Sequence, residues 1–420
     1  MIENLQKYRF LQESLPHPGS KRLVLITGAR QTGKTTLARK VYASLNYINL
    51  DAPENRDVVR EIPSAAWGRD IGTAIIDEAQ KEPIAFDKVK YAYDNGDITF
   101  QVLLGSSQIQ LIKRIRESLA GRVFIYELWP LMMKELLLDA NAANIQPPLI
   151  DRLFSDESVT DIFSPLPSLE LLDGKYAKGK SAENYLLRWG GMPALLPLND
   201  KERTKWLRDY EYTYLERDLA DLARLNDLLP FRKLQKLTAL GSGSLLNFSE
   251  LARDAAISVQ TARNYLQYLH ISYKVLLLQP FYRNLTSSVV KTPKVYWLDI
   301  GLLRTLTGFE GEFSGSIYET MVIGELFKWV RTCQKNAELF FYRTRSGLEI
   351  DVLLQTPSGY VGMEIKAREQ AYASDATALK KVAAALGGKW RGGLVIYRGK
   401  KIAHLGEPDI WAVPSWRLFT

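Results

Sequence analysis

Gly28-Ala29-Arg30-Gln31-Thr32-Gly33-Lys34-Thr35 follows the apolar run RLVLIT (22–27) and opens the helix-compatible run TTLARKVYASL (35–45). No other feature limits the fold as strongly. The pattern G-x-x-x-x-G-K-[ST] requires a strand, a tight turn and a helix in that order. The glycines let backbone N–H groups wrap a phosphate, and the helix start directs its positive end at the same charge. Lys34 is placed to bridge the β- and γ-phosphates, and the Thr35 hydroxyl to ligate magnesium. The expected cradle comprises Gly28, Ala29, Arg30, Gln31, Thr32, Gly33, Lys34, Thr35 and Thr36. It predicts ATP and Mg2+ as cofactors.

The surrounding pattern agrees. RLVLIT (22–27), YINL (47–50), TAIIDEA (73–79), FQVLLG (100–105) and VFIYEL (123–128) all read as buried parallel strands. They imply a three-layer α/β domain over residues 1–140. A proline-containing stretch without strong patterning (147–200) reads as a lid or linker, and WLRDYEYTYLERDLADLARL (206–225) as helix. Residues 141–228 are therefore expected to form a helical lid or linker region. At 420 residues the chain should divide into two to four domains.

Thr73-Ala74-Ile75-Ile76-Asp77-Glu78 is an apolar strand ending in two adjacent carboxylates. Asp77 is expected to hold magnesium through water, and Glu78 to orient and activate the attacking water. The alternative is a helix cap beyond a strand end. Leu104-Gly105-Ser106-Ser107 closes another strand; Ser106 or Ser107 either senses the γ-phosphate or caps the run SSQIQLIKRI. Arg122 either stabilises charge on the transferred phosphate, within the chain or across a subunit boundary, or is a surface arginine.

Asn247–Leu266 has helix-turn-helix spacing. Ser249 and Ser258 are the expected N-caps. Leu251, Ala252, Ile257, Ala262, Tyr265, Leu266 and Leu269 form the expected core. Gln260, Thr261, Arg263, Asn264 and Gln267 are left exposed, suited to groove or phosphate contacts. YKVLLLQPFYRN then reads as the hairpin of a winged helix, which makes 229–310 a domain. Such modules also serve as packing or protein-docking units. The net charge of +8 and pI near 9.2 permit a polyanionic partner without demonstrating one.

Near the carboxyl end, GLEIDVLL (347–354) and YVGMEIK (360–366) flank Thr356-Pro357-Ser358-Gly359. Pro357 and Gly359 suit a type I turn, so a hairpin follows. A two- or four-residue loop centred there sets Asp351 opposite Glu364, with Lys366 on the same face; Ile350, Val352, Met363 and Ile365 then face a core. Two carboxylates about 5 Å apart beside a lysine can hold magnesium and a nucleophilic water. A solvated acidic-basic face is the alternative.

Taken together, the chain resembles a bacterial and archaeal group of AAA-type ATPases with a carboxyl-terminal domain of unknown function. That domain is similar to the restriction-endonuclease fold with its PD-(D/E)xK signature. The resemblance covers nearly the whole chain. It rests on GARQTGKTT (28–36), IIDEAQ (75–80), GSS (105–107), SLAGR (118–122), WGGMP (189–193), YLERDL (214–219), ISVQTARNYLQYL (257–269), PKVYWLDIGL (293–302), YETMVIGEL (318–326), GLEIDVLL and EIKA (364–367). It implies a restriction-endonuclease-like domain at 311–420, and adds Glu319 as a helix-borne carboxylate beside Asp351, Glu364 and Lys366. Leu104 stands where the group often has threonine, and Leu285-Thr286-Ser287-Ser288 where a more basic stretch is usual. The first departure weakens a sensor role for residue 104, and the second weakens nucleic-acid contact by the wing.

Two partner readings follow: DNA, moved or cut in response to ATP turnover, or a protein that responds to nucleotide state. Relatives of this type often assemble into rings, so a homo-oligomer is compatible. No apolar run approaches the roughly 18–20 residues of a membrane span. The amino-terminal segment lacks the layout of a secretory signal, and the single Cys333 fits a reducing compartment, so a cytoplasmic protein without membrane contact is expected. With only His17, His270 and His404, zinc sites are not expected.

Overall fold

The computed structural model describes residues 6–106, 119–166, 174–214, 228–281 and 292–420. The five apolar runs of the first third form β1 (Arg22–Thr27), β2 (Asn46–Asn49), β3 (Ala74–Asp77), β4 (Phe100–Leu104) and β5 (Val123–Glu127). They make one sheet in the order β2-β3-β4-β1-β5, every neighbouring pair parallel. Helices Lys34–Val41 and Ile84–Asn95 connect strands and bury Leu37 and Ala38, and Phe86 and Val89, against the sheet. The strand sequences are nearly continuous in apolar residues because both faces are covered. β5 departs from that expectation. As an edge strand, it leaves Phe124 45% and Ile125 51% exposed.

The middle of the chain is helical. Gly174–Trp189, Asp200–Tyr214 and Leu229–Leu240 precede the two short helices Phe248–Asp254 and Val259–Ile271. Ser258 caps the last of these through Thr261 N–H. The first of the pair is capped by Asn247, not Ser249, because Asn247 accepts from Glu250 N–H and leaves Ser249 inside the first turn. Ala252, Ala262, Tyr265, Leu266 and Leu269 are buried as expected, Leu251 and Ile257 half-buried. Gln260, Arg263, Asn264 and Gln267 are exposed, and Thr261 is half-buried.

The next strands, β6 (Val275–Pro280) and β7 (Lys294–Trp297), pair antiparallel. Residues 282–291, which include the expected wing tip, lie outside the described residues. β6 also pairs in parallel with β8 (Glu338–Arg343). With β9 (Glu349–Thr356), β10 (Gly359–Lys366), β11 (Trp390–Tyr397), β12 (Ala403–Gly406) and β13 (Ile410–Pro414), these form one sheet in the order β12-β13-β11-β10-β9-β8-β6-β7. Strands on both sides of residue 310 thus share a sheet. The long helix Gly315–Thr332 covers one face, with Met321, Val322 and Leu326 beside Val352 and Met363. Thr377–Leu386 covers the other, with Leu379 and Val382 beside Leu353 and Val395.

The two sheets are joined through the long helix. Arg331 pairs with Glu127 at 2.8 Å, and Glu325 Oε2 accepts from Met133 N–H at 2.6 Å. The same apolar cluster contains Trp129 of the first domain, Leu266 of the middle and Met363 of the last. No described helix is long and apolar enough to cross a membrane.

Candidate functional site

β1 ends at Thr27 and the helix starts at Lys34, so Gly28–Gly33 turn the chain at the carboxyl edge of the sheet. Gly28 has φ +147°, and a Cβ there would lie 2.2 Å from Leu128 O; no side chain fits. Gly33 and Gln31 also have positive φ, at 96° and 61°. Lys34 Nζ folds back on the loop, donating to Gly28 O at 3.1 Å and Ala29 O at 2.8 Å.

β3 carries the second motif. β4 lies between it and β1, yet both motifs open on the same edge because all strands are parallel. Thr35 Oγ1 donates to Asp77 Oδ2 at 2.7 Å, uniting the two motifs. Glu78 has φ +52°, which aims it away from the strand, and it lines the same cavity as Arg30–Leu37. The cavity measures about 790 Å³. Gln80 bridges the acid to the middle strand: its Nε2 donates to Glu78 and, at 3.4 Å, to buried Ser106 Oγ. Ser106 therefore connects to the Glu78 carboxylate through Gln80, while Ser107 lies outside the described residues.

The within-chain role expected of Arg122 is corrected. β1 and β5 begin together at Leu23 opposite Val123, so Arg122 sits at the amino edge and the phosphate loop at the carboxyl edge. The length of β1 separates them, roughly 15 Å at ~3.3 Å per residue. Arg122 makes a two-pronged pair with Asp94, at 2.6 and 3.0 Å, and does not reach this chain's own cradle.

Three contributors carried no motif signal. Tyr47 OH donates to Asp77 Oδ2 at 2.8 Å; burial, then the bond to Asp77, push its pKa up. Arg9 donates to Thr32 O at 2.7 Å and also to Trp129 O, with Glu135 at 3.2 Å, which ties the amino-terminal segment to the loop. Tyr210 OH donates to Arg30 O at 3.2 Å and accepts from Lys274 Nζ at 2.9 Å. Pro193, Ala194, Leu196 and Pro197 close one side of the cavity. The preceding Gly190 has φ +75°, and a Cβ there would meet Asp299 Oδ1 at 2.3 Å. Asp299 in turn accepts from Gly191 N–H at 2.8 Å.

A divalent cation fits this pocket. Thr35 hydroxyl and Asp77 carboxylate already touch, and both are the hard oxygen donors that magnesium prefers.

The second cluster lies across the carboxyl-terminal sheet. The hairpin register runs from Thr356 opposite Gly359 to Val352 opposite Met363 around a two-residue loop, and the next residue, Asp351, bonds β10 at Ile365. Lys366 Nζ bonds Glu364 Oε1 at 2.6 Å, on the same face as expected. Val352, Met363 and Ile365 join the core under the long helix, but Ile350 joins the opposite core. The reason is a bulge: Phe340 pairs with Leu353 and Tyr342 with Ile350, so Asp351 and Val352 share one partner position and the alternation shifts. Asp351 Oδ2 accepts from Ile365 N–H at 2.7 Å.

The long helix brings Glu319 to this cluster, where it accepts from Tyr296 OH at 2.7 Å. Burial first and Asp351's charge second raise Glu319 to about 7. The same two causes raise Glu364 to about 7. Sequence reasoning missed Lys294, only 4% exposed on β7. Its ammonium lies 2.6 Å from Glu349 Oε1 and 3.8 Å from Glu319 Oε1. Burial opposes its charge, but Glu319 and Glu349 outweigh burial and raise its pKa. Among the described residues no group of three or more His, Cys, Asp or Glu side chains is placed to hold a metal ion. Two ammoniums, Lys294 and Lys366, stand among its carboxylates. Asp351 and Glu364 thus share this cluster with Glu319, Glu349 and the two lysines.

Three stretches of the chain match known families. Residues 20–137 match the family described as AAA domain, 180–312 a domain of unknown function (DUF8612), and 314–418 another domain of unknown function (DUF4143). The uncharacterized protein Rv2008c of Mycobacterium tuberculosis is 29% identical over 353 residues, which span 82% of this chain and 70% of that protein. Its Mycobacterium bovis counterpart Mb2031c matches equally. Among solved structures, the Walker-type ATPase PABY2304 of Pyrococcus abyssi is 17% identical with a TM-score of 0.43, covering 71% of this chain and 93% of that one. PH0952 of Pyrococcus horikoshii, a signal-transduction ATPase with a tetratricopeptide repeat sensor, is 13% identical with a TM-score of 0.25, covering 79% and 48%. The amino-terminal parallel sheet thus lies within the span that matches the AAA domain and resembles that of a P-loop ATPase.

Proposed function

We propose that this chain binds ATP with magnesium in the cavity above β1 and β3 and hydrolyses it. The Thr35–Asp77 hydrogen bond carries the reading, because it joins the two halves of a hydrolytic site from distant parts of the sequence. Backbone N–H groups of Gly28–Thr36 and the Lys34 ammonium hold the phosphates. Thr35 and Asp77 hold magnesium, which supplies charge neutralisation on the phosphates. Glu78, steadied by Gln80 and Ser106, orients the attacking water and takes its proton. Tyr47 positions Asp77.

The ATP state passes to the rest of the chain through two supports. Segment 190–197 lines the cavity and is held by Asp299; the long helix docks on Glu127 and Met133 and also carries Glu319. In the main reading, the winged-helix-like module presents Gln260, Arg263, Asn264 and Gln267 to DNA, and turnover moves the restriction-endonuclease-like domain. A second reading is favoured by Lys294: the carboxylate cluster is inert as a nuclease, and the domain serves as a platform for a protein partner. The ATPase rate with and without single- and double-stranded DNA separates them. Several-fold stimulation supports the first; a rate indifferent to every nucleic acid supports the second. Absence of any nucleotide binding overturns both.

A further inference from the structure

A second concavity of about 350 Å³, which shares no lining residue with the nucleotide cavity, includes Arg188 and Trp189 in its wall. It forms where the helices Gly174–Trp189, Asp200–Tyr214 and Ile300–Thr307 meet. Its charged lining is Arg188, Arg208, Arg304 and Glu310, three guanidiniums against one carboxylate.

The arginines are incompletely neutralised. Arg188 pairs with Asp200 at 2.8 Å, but Asp200 is shared with Arg203 at 3.2 Å. Arg208 is exposed and has no ion-pair partner among the described residues. Arg304 donates through Nη2 to Gly311 O at 3.0 Å, whereas its Nη1 is shut from solvent with no acceptor among the described residues. A buried donor without a partner is costly, and a guanidinium more so. Burial first and repulsion by Arg188 second lower the Arg304 pKa. The carboxyl end of helix Ile300–Thr307 lies nearby, but a helix end supplies only about half a charge. It does not balance the excess.

We infer that this concavity is an anion site built for a phosphate group, distinct from the phosphate loop. The exposed Arg208 presents a planar fork that matches phosphate oxygens in pairs, and Arg304 adds its charge to the same lining. A phosphate's charge of roughly −1.5 to −2 suits the excess of two positive charges better than a single carboxylate does. Phe309, 36% exposed at the rim with the Arg304 guanidinium 5.4 Å from its ring centre, offers an aromatic face beside that phosphate. The phosphate belongs either to a small phosphorylated molecule or to a nucleic-acid backbone. The inference does not depend on the nucleotide reading above.

The test uses the full chain carrying Lys34→Ala, so that the phosphate loop does not contribute. Calorimetry with inorganic pyrophosphate and with a short single-stranded oligonucleotide supplies the two arms. Binding of either probe is expected, weakened about tenfold or more by Arg304→Met and by Arg208→Met. Arg208 is exposed, so its substitution leaves folding intact if Arg304→Met disturbs the loop at Gly311. Pyrophosphate binding alone identifies a small phosphorylated ligand. Oligonucleotide binding that falls steeply with salt identifies a backbone phosphate. If neither probe binds, or if both arginine variants bind within twofold of their parent, the inference is overturned.

Discussion

Replacing Lys294 with methionine removes the one ammonium held between Glu319 and Glu349 while keeping the apolar stem. At 3.8 Å the attraction to Glu319 is about 4 kcal/mol gross at an effective dielectric of ~20. Loss of one partner from a buried pair costs about 3–5 kcal/mol net. Glu349 is 29% exposed and also paired with Arg343, so solvent and that arginine absorb part of its loss. The low end, about 3 kcal/mol, is therefore expected where Glu319 is ionised.

The cost should depend on pH. Burial and Asp351 hold Glu319 at about 7 in the folded chain, above the ordinary glutamate value. A raised carboxyl contributes stability that is full below the unfolded value and lost as pH rises through the folded one. Without Lys294 the folded value rises further, so the variant loses most relative to wild type above pH ~7. At pH ~5.5 Glu319 is mostly protonated in both proteins, and the difference should shrink to about 1 kcal/mol. Urea unfolding of the carboxyl-terminal region, followed by hydrogen exchange of β9 and β10 at pH ~5.5 and ~8.5, measures this. Equal destabilisation at both values would refute the electrostatic account and leave lost packing as the cause. Glu319→Gln added to Lys294→Met should restore most of the loss at the higher pH.

Three further outcomes concern the nucleotide cavity. Lys34→Ala should abolish binding of a fluorescent ATP analogue, and tight binding by that variant removes the phosphate-loop assignment. Glu78→Gln should keep ATP affinity within a few-fold and slow single-turnover hydrolysis by about 10²–10⁴; unchanged turnover would show that another group activates the water. Tyr47→Phe removes a hydrogen bond to a carboxylate, worth about 1.5–3 kcal/mol, so the magnesium needed for half-maximal hydrolysis should rise about tenfold or more. A magnesium titration that superimposes on wild type would demote Tyr47 to packing.

The phosphate cradle was legible in the sequence because its chemistry is local. Gly28–Thr35 acts through its own backbone, and only glycine fits at 28 beside Leu128 O. The strands around it were legible for a related reason: burial on both faces leaves an apolar run that needs no partner to be recognised. The hairpin register was equally readable, since a two-residue loop fixes Val352 against Met363 once the turn residues are known. Periodicity misled at Ile350, because a bulge inserts one residue without any mark in the pattern.

Other features depended on where distant segments meet. Tyr47 reaches Asp77, Arg9 reaches Thr32, and Lys294 reaches Glu319 and Glu349 only after strands pair and helices dock. Arg122 went the opposite way: its setting left a within-chain phosphate role open, and strand direction placed it at the other edge of the sheet. Sequence alone determined what can be encoded within one turn, one strand or one hairpin. Tertiary structure decided which charges face each other, because a side chain's neighbours across the fold are set by the packing of whole elements rather than by adjacent residues.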